Sequence, residues 1–539
     1  MFEPEGFWRD LVAFTWNIKT CEGRGEIKAM LAARLADVRP RNFQAKSAEW
    51  FTFETALGRG VGHLRLREDR CWTLLTTLQE LKGHEEKAGP NRLKLPVPRA
   101  EGLGIAEQPY VLIIGGGQGG IALAARLRRL GVPALVVEKN ERAGDSWRKR
   151  YKSLCLHDPV WYDHMPYIPF PNHWPVFSPK DKIADWLEMY TRVMELDYWT
   201  STLCKRARFS EAANEWEVLV MRDGEPHTLR PTHLVLATGM SGFPQVPQVP
   251  GADTFAGRIV HSSRYGAGAE WEEKQCVVVG SGTSAHDICA DLVESGAASV
   301  TMIQRAPTIV AKSETLMDLA WGPLYSEEAL ARGITTELAD LSVASVPFKV
   351  LPELQRPIYA EMGKRDAELY SGLEKAGFQY DFGEDGSGIH SLYLRRGAGY
   401  YIETGASQMI IERRIKVRNA SVHSVDERRV RLSDGSQLAA DLIVFATGYG
   451  SMNQWAEQLI SKEVADRVGK VWGLGSDTKA DPGPWQGELR NMWKPTQQAN
   501  LWFHGGNLMQ SRHYSLYLAL QLKARFERMR TPVYYQIGL

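Results

Sequence analysis

Two glycine-rich turns, Gly-x-Gly-x-x-Gly and Gly-x-Gly-x-x-Ala, restrict this chain more than any other feature. Each turn follows a short apolar run, YVLII or CVVV, and each precedes a stretch with helical spacing. A buried strand, a glycine turn and a helix open a βαβ unit with parallel strands. The sequence therefore predicts an α/β protein with two Rossmann-type dinucleotide-binding units. Two later strands end alike, in HLVLATG and DLIVFATG, which indicates a duplicated architecture.

The first turn has a distinct task for each glycine. Gly115 makes the tight turn, Gly117 lets the backbone approach a pyrophosphate, and Gly120 lets the helix pack closely on the strand. Glu138 ends the next strand, 23 residues after Gly115. A carboxylate at that position is placed to accept hydrogen bonds from ribose hydroxyls.

The second turn has a different electrostatic character. Gly280, Gly282 and Ala285 repeat the motif, in which alanine is permitted at the third position. Gln304 stands where the first unit has its glutamate, and Arg305 follows it. A missing carboxylate and an adjacent guanidinium favour a ribose 2′-phosphate, so we expect the second site to prefer NADPH to NADH. Two such sites suggest two cofactors, a resident FAD and the nicotinamide that reduces it.

Composition excludes several classes of protein. Among 539 residues, 65 Lys and Arg nearly cancel 64 Asp and Glu, which argues against a nucleic-acid-coating or membrane-binding surface. We expect no membrane span and no secretory signal peptide. No two cysteines form a Cys-x-x-Cys pair, so we expect no metal site and no dithiol centre. The chain is predicted to be a cytoplasmic enzyme. The six cysteines are Cys21, Cys71, Cys155, Cys204, Cys276 and Cys289.

Four regions are expected along the chain. Residues 1–105 form a small α+β unit with its linker, which lies at 84–107; a helix near 26–35 precedes strands near 49–57 and 62–81. The FAD-binding domain takes residues 106–245 and, for its second part, 441–539. The NADPH-binding domain takes residues 246–440 and contains a helical insertion at about 316–395, which either shapes a substrate channel or only packs.

Between the two nucleotide units lies the pattern FxGxxxHxxxY, formed by Phe255, Gly257, His261 and Tyr265. It resembles the identifying sequence of the class B flavin-containing monooxygenases and their Baeyer–Villiger relatives, and the order of all four motifs matches that family over residues 109–539. The resemblance implies FAD, NADPH and O2, with oxygen captured as a flavin 4a-hydroperoxide. His261 and Tyr265 are expected to be linker elements, and His261 a structural hydrogen bonder rather than a proton-transfer residue.

A finer resemblance begins at Ser146 and Trp147. The segment that they open is similar to the one that lies along the flavin ring, and its Leu156-His157 pair is shared with the plant YUCCA-type indole-3-pyruvate monooxygenases. The resemblance implies that Ser146, Trp147 and Leu156 bind FAD and that His157 donates or relays a proton. The alternative role for His157 is only to cap backbone near the ring.

Four more features complete the comparison. Gln510, in LWFHGGNLMQ before the last helix, resembles a flavin neighbour, and Ser284 is assigned to the NADPH site. Thr283 departs from the asparagine that is common in the family. The N-terminal unit resembles part of a SnoaL-like cone whose opening helices are missing. We expect it either to pack on the rest of the chain or to dimerise. In the second case the chain would form a homodimer.

The predicted function is that of an NADPH- and O2-dependent FAD monooxygenase. Its substrate is expected to be a small organic molecule: an indole-3-pyruvate-like keto acid, a ketone, or a soft nitrogen or sulfur nucleophile. Two alternatives stay open, a flavin disulfide reductase and an uncoupled NADPH oxidase, beside a non-enzymatic scaffold. The sequence does not distinguish N- or S-oxygenation from Baeyer–Villiger oxidation or oxidative decarboxylation.

Overall fold

The computed structural model describes residues 1–95 and 102–535. The N-terminal unit is one mixed sheet with a single helix packed against it. The strand order is β2-β1-β6-β5-β4-β3, and only β1 and β6 run parallel. Its elements are β1 (Phe2–Leu11), β2 (Ile18–Glu22), α1 (Gly23–Val38), β3 (Arg41–Ala45), β4 (Trp50–Glu54), β5 (Gly58–Arg67) and β6 (Arg70–Leu81).

The sequence pattern located the helix and the strands β4, β5 and β6, the last two as one run, but missed β1, β2 and β3. In β1 the last four residues, Trp8–Leu11, are all buried, including Arg9 and Asp10. Because both faces of the strand are covered, the apolar alternation that marks a strand is absent. The predicted order, in which a helix comes first, is therefore wrong. The resemblance to a SnoaL-like cone stays a prediction, and residues 96–101 of the predicted linker lie outside the described residues.

The first nucleotide unit is a parallel sheet in the order β13-β7-β8-β9, with an antiparallel three-stranded sheet beside it. The glycine turn joins β7 to α2, as predicted, and β13 is the first strand with an Ala-Thr-Gly end. The elements are β7 (Val111–Ile114), α2 (Gln118–Arg129), β8 (Ala134–Val137), α3 (Asp145–Arg148), α4 (Lys180–Val193), β9 (Tyr198–Trp199), β10 (Thr202–Ser210), β11 (Glu215–Arg222), β12 (Glu225–Leu229) and β13 (His233–Leu236).

The second nucleotide unit repeats this plan in the order β14-β24-β15-β16-β20, with all neighbours parallel. Its strands and the helix of its glycine turn are β14 (Arg258–His261), β15 (Gln275–Val279), α5 (Thr283–Glu294), β16 (Ser299–Gln304) and, after the insertion, β20 (Ile415–Asn419) and β24 (Leu442–Phe445). The strand β24 carries the second Ala-Thr-Gly end and lies beside β15, as β13 lies beside β7. The second unit therefore repeats the strand arrangement of the first, as the sequence predicted.

The region between β16 and β20 is largely helical. It consists of β17 (Thr308–Lys312), α6 (Ser313–Leu316), a π-helical turn (Met317–Trp321), α7 (Glu327–Ala331), α8 (Thr336–Ala344), α9 (Leu351–Arg365), α10 (Ala367–Lys375), β18 (Tyr380–Asp381), α11 (Gly388–Arg396), β19 (Tyr400–Glu403) and α12 (Ala406–Ile411). A small antiparallel sheet, β21 (Val422–Val425), β22 (Arg429–Leu432) and β23 (Gln437–Ala439), follows β20.

One predicted boundary needs correction. The division at 440/441 assigns the strand Leu442–Phe445 to the first unit, but its ladders join β14 and β15 of the second unit. The chain returns to the first unit only later, through α13 (Asn453–Leu459), α14 (Lys462–Val468), β25 (Leu501–Phe503) and α15 (Leu508–Phe526). There β25 adds to the edge of the first sheet beside β13. Neither α15 nor any other helix within 1–95 and 102–535 is both long and apolar enough to cross a bilayer.

Candidate functional site

The first glycine turn excludes side chains at two positions and tolerates one at the third. A Cβ on Gly115, whose φ is 107°, would lie 2.4 Å from the Ala237 carbonyl oxygen, and one on Gly120 would lie 2.0 Å from the Gly115 carbonyl oxygen. The nearest atom to a Cβ on Gly117 would be the Ser146 Oγ, at 3.6 Å. Folding thus requires the first and third glycines, whereas the second leaves its backbone open to a ligand.

Polar groups around this turn have no partner in the described protein. The helix α2 begins after Gly117 without a capping side chain, whereas Thr335 caps α8 and Asn507 caps α15. The first N–H groups of α2 are therefore free to bind an anion. The Ser146 Oγ and the Thr238 Oγ1 are buried, and neither makes a hydrogen bond within the described residues. The turn thus has the donors that a pyrophosphate requires.

Glu138 lies at the end of β8, beside the turn, and is buried. Its Oε2 accepts a hydrogen bond from the Gly116 N–H at 2.8 Å. Its Oε1 accepts from the backbone and the side-chain nitrogens of Asn140, at 2.9 and 2.7 Å. A carboxylate has about four acceptor directions, so room for a ribose hydroxyl remains beside these three bonds.

The second turn repeats this arrangement. A Cβ on Gly280, whose φ is 128°, would lie 2.4 Å from the Ala446 carbonyl oxygen, and Ala285 is fully buried at the third position. The nearest atom to a Cβ on Gly282 would be the Tyr400 carbonyl oxygen, at 3.6 Å, and α5 begins there without a capping side chain. In each unit, the alanine of the Ala-Thr-Gly end lies against the first glycine of the turn.

The end of β16 has one buried amide and one exposed cation. The Gln304 side chain donates to the Gln379 carbonyl oxygen at 2.7 Å and accepts from the Gln379 N–H at 2.8 Å. Gln304 therefore faces protein rather than a ligand. Arg305 is exposed and forms no ion pair with any residue in the described ranges, so its guanidinium is available to an anion. Its role at an NADPH phosphate stays a prediction.

Residues 145–159 connect the two turns. The Trp147 Nε1 donates to the Gln118 Oε1 at 3.1 Å, in the first turn of α2. Tyr151 donates to the Asp287 Oδ2 at 2.7 Å, in α5, and also contacts Ser284 there. Burial raises the pKa of Asp287 to about 6. This segment thus runs from the start of α2 to the start of α5. We call the space beside it, between these two helix starts, the cleft.

His157 lies in that segment, half-buried, with its ring edge-on to Tyr400 at 5.8 Å between centroids. The Tyr400 carbonyl oxygen accepts from Thr283 at 2.9 Å, which places His157 near the second turn. His157 makes no hydrogen bond to the described residues, so the backbone-capping alternative has no support. Leu156 instead bonds its N–H to the Ser178 carbonyl oxygen at 2.9 Å and packs on the core of the first unit.

Gln510 lies in the first turn of α15, and the structure engages its carbonyl oxygen. That Oε1 accepts from the Tyr393 hydroxyl at 3.0 Å and from the Asn507 N–H at 3.3 Å. The Gln118 Nε2 donates to the Gly506 carbonyl oxygen at 3.2 Å, so the starts of α2 and α15 adjoin. Gln510 thus belongs to the wall of the cleft through a helix cap.

Several residues of this cleft were not foreseen. The Asn507 Nδ2 donates to the Tyr162 hydroxyl at 3.0 Å, and the Asp158 carboxylate acts electrostatically on Tyr162, Tyr393 and Tyr400. Burial raises the pKa of Asp158, an effect that His157 partly offsets. Only Asn507-x-x-Gln510, a capping pair, has a signal that sequence could have shown. The tyrosines come from two distant segments, one with Tyr162 and the other with Tyr393 and Tyr400.

The pattern FxGxxxHxxxY ties the second unit together. The His261 Nδ1 accepts from the Ser263 N–H at 3.2 Å, and its Nε2 lies 3.1 Å from the Gly448 carbonyl oxygen, so Nε2 carries the proton. Burial lowers the pKa of His261. The Tyr265 hydroxyl donates to the Asp291 Oδ2 at 3.0 Å. These bonds give both residues a structural role.

The described ranges contain neither a disulfide nor a cluster of side chains suited to a metal ion. All six cysteines are free, and Cys155, near the cleft, donates to the Phe177 carbonyl oxygen. Burial raises the pKa of Cys155, so a smaller fraction of this thiol is ionised to the reactive thiolate. No cluster of His, Cys, Asp and Glu in residues 1–95 and 102–535 has the arrangement of a metal site.

Comparisons with known proteins agree with this geometry. A family model described as pyridine nucleotide-disulphide oxidoreductase matches residues 109–341. The probable indole-3-pyruvate monooxygenase YUCCA10 of Arabidopsis thaliana is 28% identical over 354 residues, which cover 65% of this chain and 84% of the relative. The indole-3-pyruvate monooxygenase YUCCA1 of Oryza sativa subsp. japonica is 29% identical over 365 residues, covering 67% and 82%.

A solved structure supports the same fold. The structure of OTEMO in complex with FAD and NADP superposes with a TM-score of 0.54 at 17% identity, over 78% of this chain and 85% of that chain. The match shows a shared architecture.

A first prediction concerns Gly257, where a Cβ would lie 2.3 Å from the Asp441 carbonyl oxygen and 2.6 Å from the Phe255 ring. Gly257→Ala should separate β14 from β24 and lower the free energy of unfolding by about 1–3 kcal/mol, measured by chemical denaturation. Gly25→Ala is the control, since Gly25 lies in α1 with no atom within 4 Å of a Cβ. It should be neutral or stabilising. Equal stability of the two variants would contradict the packing role of Gly257.

A second prediction concerns Asp287. Its folded pKa of about 6 exceeds its ordinary value of 3.8, so its contribution to stability is fully present below about pH 4 and is lost as pH rises through 6. From pH 4 to pH 7, the wild type should therefore lose about 2 kcal/mol relative to Asp287→Asn. Denaturation curves across this range measure the difference. Asp253→Asn, at an exposed carboxylate, should follow the wild type; a parallel course for Asp287→Asn would refute the assignment.

Proposed function

We propose that this chain, a homologue of the class B flavin-containing monooxygenases, uses FAD and NADPH to transfer one atom of O2 to a small organic substrate. One observation carries the proposal: two complete glycine turns with uncapped helices, joined by a segment that contacts both helix starts. Bound flavin would supply hydride acceptance and oxygen activation, which amino acids alone do not provide. The protein supplies binding, orientation and a water-poor cleft.

The FAD site is assigned to the first turn. Gly115, Gly117 and Gly120 shape it, Glu138 faces the ribose, and the unpartnered Ser146 hydroxyl lies beside Gly117. Trp147 is held by Gln118 at the start of α2, where its buried ring would pack on the cofactor. These contacts explain how the same residues can serve folding and binding.

The NADPH site is assigned to the second turn. Gly280, Gly282 and Ala285 shape it, and Ser284 adjoins it in the first turn of α5. Arg305 is the proposed 2′-phosphate ligand because it is exposed, unpaired in the described structure and next to a strand end that lacks a carboxylate.

His157 is the proposed proton donor. The fold uses neither of its ring nitrogens for a hydrogen bond within the described residues, and its ring lies edge-on to Tyr400. An imidazole that is half-buried and unengaged can protonate an oxygen that leaves during oxygen transfer. Tyr162 and Tyr393 add hydroxyls to the same cleft.

The substrate is proposed to be small and organic: a keto acid of the kind that the YUCCA relatives are named for, a ketone, or a soft amine or sulfide. A disulfide reductase is not favoured, because that chemistry requires a cysteine pair and Cys155 is a single thiol near the cleft. We further propose a cytoplasmic location and a homodimer, which fractionation and light scattering would test.

The decisive experiment reduces purified protein with NADPH without oxygen and then mixes it with oxygenated buffer. The flavin spectrum should pass through a transient form that NADP+ prolongs, and one FAD should bind per chain. Gly117→Ala should fold but lose FAD affinity by about tenfold or more, while Gly282→Ala should keep FAD and lose NADPH to a similar degree. Colourless protein that refuses FAD, or reoxidation without a transient, would contradict the proposal.

The role of His157 predicts a selective defect. His157→Ala should leave hydride transfer from NADPH to flavin unchanged but lower the rate of product formation by about a hundredfold, the usual effect of removing a general acid. Stopped-flow absorbance and peroxide release measure the two steps separately. His173→Ala, at an exposed histidine of the same region, is the control. Normal product yield in His157→Ala would remove the catalytic assignment.

A further inference from the structure

Arg9 of the N-terminal sheet reaches deep into the nucleotide-binding part of the chain. It is 1% exposed, and its Nε and Nη2 bind the Glu488 carboxylate at 2.8 and 2.9 Å. The Nη2 also donates to the Tyr514 hydroxyl of α15 at 3.0 Å, and the Nη1 donates to the Ala344 carbonyl oxygen at 2.8 Å. Every nitrogen of this guanidinium is therefore engaged with residues far away in sequence.

Arg65 of the same sheet binds next to Arg9. Its Nη1 donates to the Ser345 carbonyl oxygen at 3.0 Å and its Nη2 to the Ser345 Oγ at 2.7 Å. Ala344 ends α8, so two cations of the N-terminal unit bind carbonyls at the C-terminus of that helix. The last carbonyls of a helix lack partners and carry partial negative charge, which makes this position favourable for arginine.

The helix α8 also binds the C-terminal helix. Asp340, one turn before Ala344, binds Arg512 of α15 through two parallel bonds, at 2.9 and 2.8 Å. Tyr325 donates to the Asp340 Oδ1 at 2.9 Å. The side chains of Asp340 and Arg512 are only 3% and 4% exposed. Removal of either one would leave the other as a buried, unpaired charge.

Arg512 in turn holds the cleft wall. Its Nη1 donates to the carbonyl oxygens of Tyr162 and His164, at 2.8 and 2.5 Å. The hydroxyl of Tyr162 accepts from Asn507 beside Gln510. Charge-assisted bonds of Arg9, Arg65 and Arg512, joined by the backbone of α8, thus connect the N-terminal sheet to the segment of Tyr162.

We propose that Arg9 and Arg65 are positioning residues, through which the N-terminal unit holds α8 and, by way of the Asp340–Arg512 pair, the Tyr162 side of the cleft. The N-terminal unit is then a part of the oxygenating machinery rather than an appended module. The inference rests on the proposed function for its consequence: a loosened wall admits water, and more NADPH oxidation ends as peroxide.

The test compares hydrogen exchange in the full FAD-loaded chain for the wild type, Arg65→Met and the double variant Arg9→Met with Glu488→Gln. The double variant removes both buried charges together and so avoids an unpaired carboxylate. Arg59→Met is the matched control, because Arg59 belongs to the same sheet but is exposed, and it pairs with Glu80 and Glu85 of the N-terminal region rather than with α8.

In both test variants, amides of residues 336–345 and 159–164 should exchange about tenfold faster, while residues 111–129 and the Arg59→Met control stay at wild-type rates. Arg65→Lys, which keeps a cation at the helix end, should recover part of the protection. The peroxide formed per NADPH should rise while the rate of flavin reduction stays constant.

Exchange changes confined to residues 1–81, or spread equally over residues 111–129, would overturn the inference, and so would an unchanged peroxide fraction. If the wild type bound no flavin, the proposed function would fail, whereas exchange in the flavin-free chain would still report whether the N-terminal arginines hold α8. The two failures are therefore distinguishable.

Discussion

The contact between a glycine turn and a neighbouring strand end is the constraint on which the rest of this structure depends. Gly115 lies against the Ala237 carbonyl oxygen, and Gly280 lies against that of Ala446, at distances that exclude any side chain. The helices α2 and α5 begin directly after these turns without a capping side chain. Because unsatisfied helix donors attract phosphate, the same packing that closes each sheet also creates each nucleotide site.

The cleft between the two sites combines hydrogen-bonding groups with aromatic walls. Residues 145–159 cross it and contact both nucleotide helices, so that Trp147, Tyr151 and His157 face different partners along one segment. Of these three, His157 is the residue that the fold leaves without a hydrogen bond in the described structure. That contrast supports a chemical role for His157 and a structural role for Tyr151.

The N-terminal unit illustrates how far sequence patterns reach. Its helix and the strands β4, β5 and β6 were readable because they repeat or alternate with a clear period. The strand β1 was not, because Arg9 and Asp10 are buried where a period of two predicts one exposed position in two. The partners of Arg9, namely Ala344, Glu488 and Tyr514, lie more than 300 residues away. No local pattern contains such pairings, which explains why the unit looked like an independent attachment.

The sequence alone determined the two βαβ units, the glycines that shape each turn and the chemical class of cofactor, because those features depend on local backbone geometry within about 30 residues. Tertiary structure decided that the strand Leu442–Phe445 joins the second sheet, that Gln304 faces protein, and that Tyr162, Tyr393 and Tyr400 share one cleft. These outcomes depend on which distant segments meet, and burial and hydrogen bonding select those meetings only once the chain has folded.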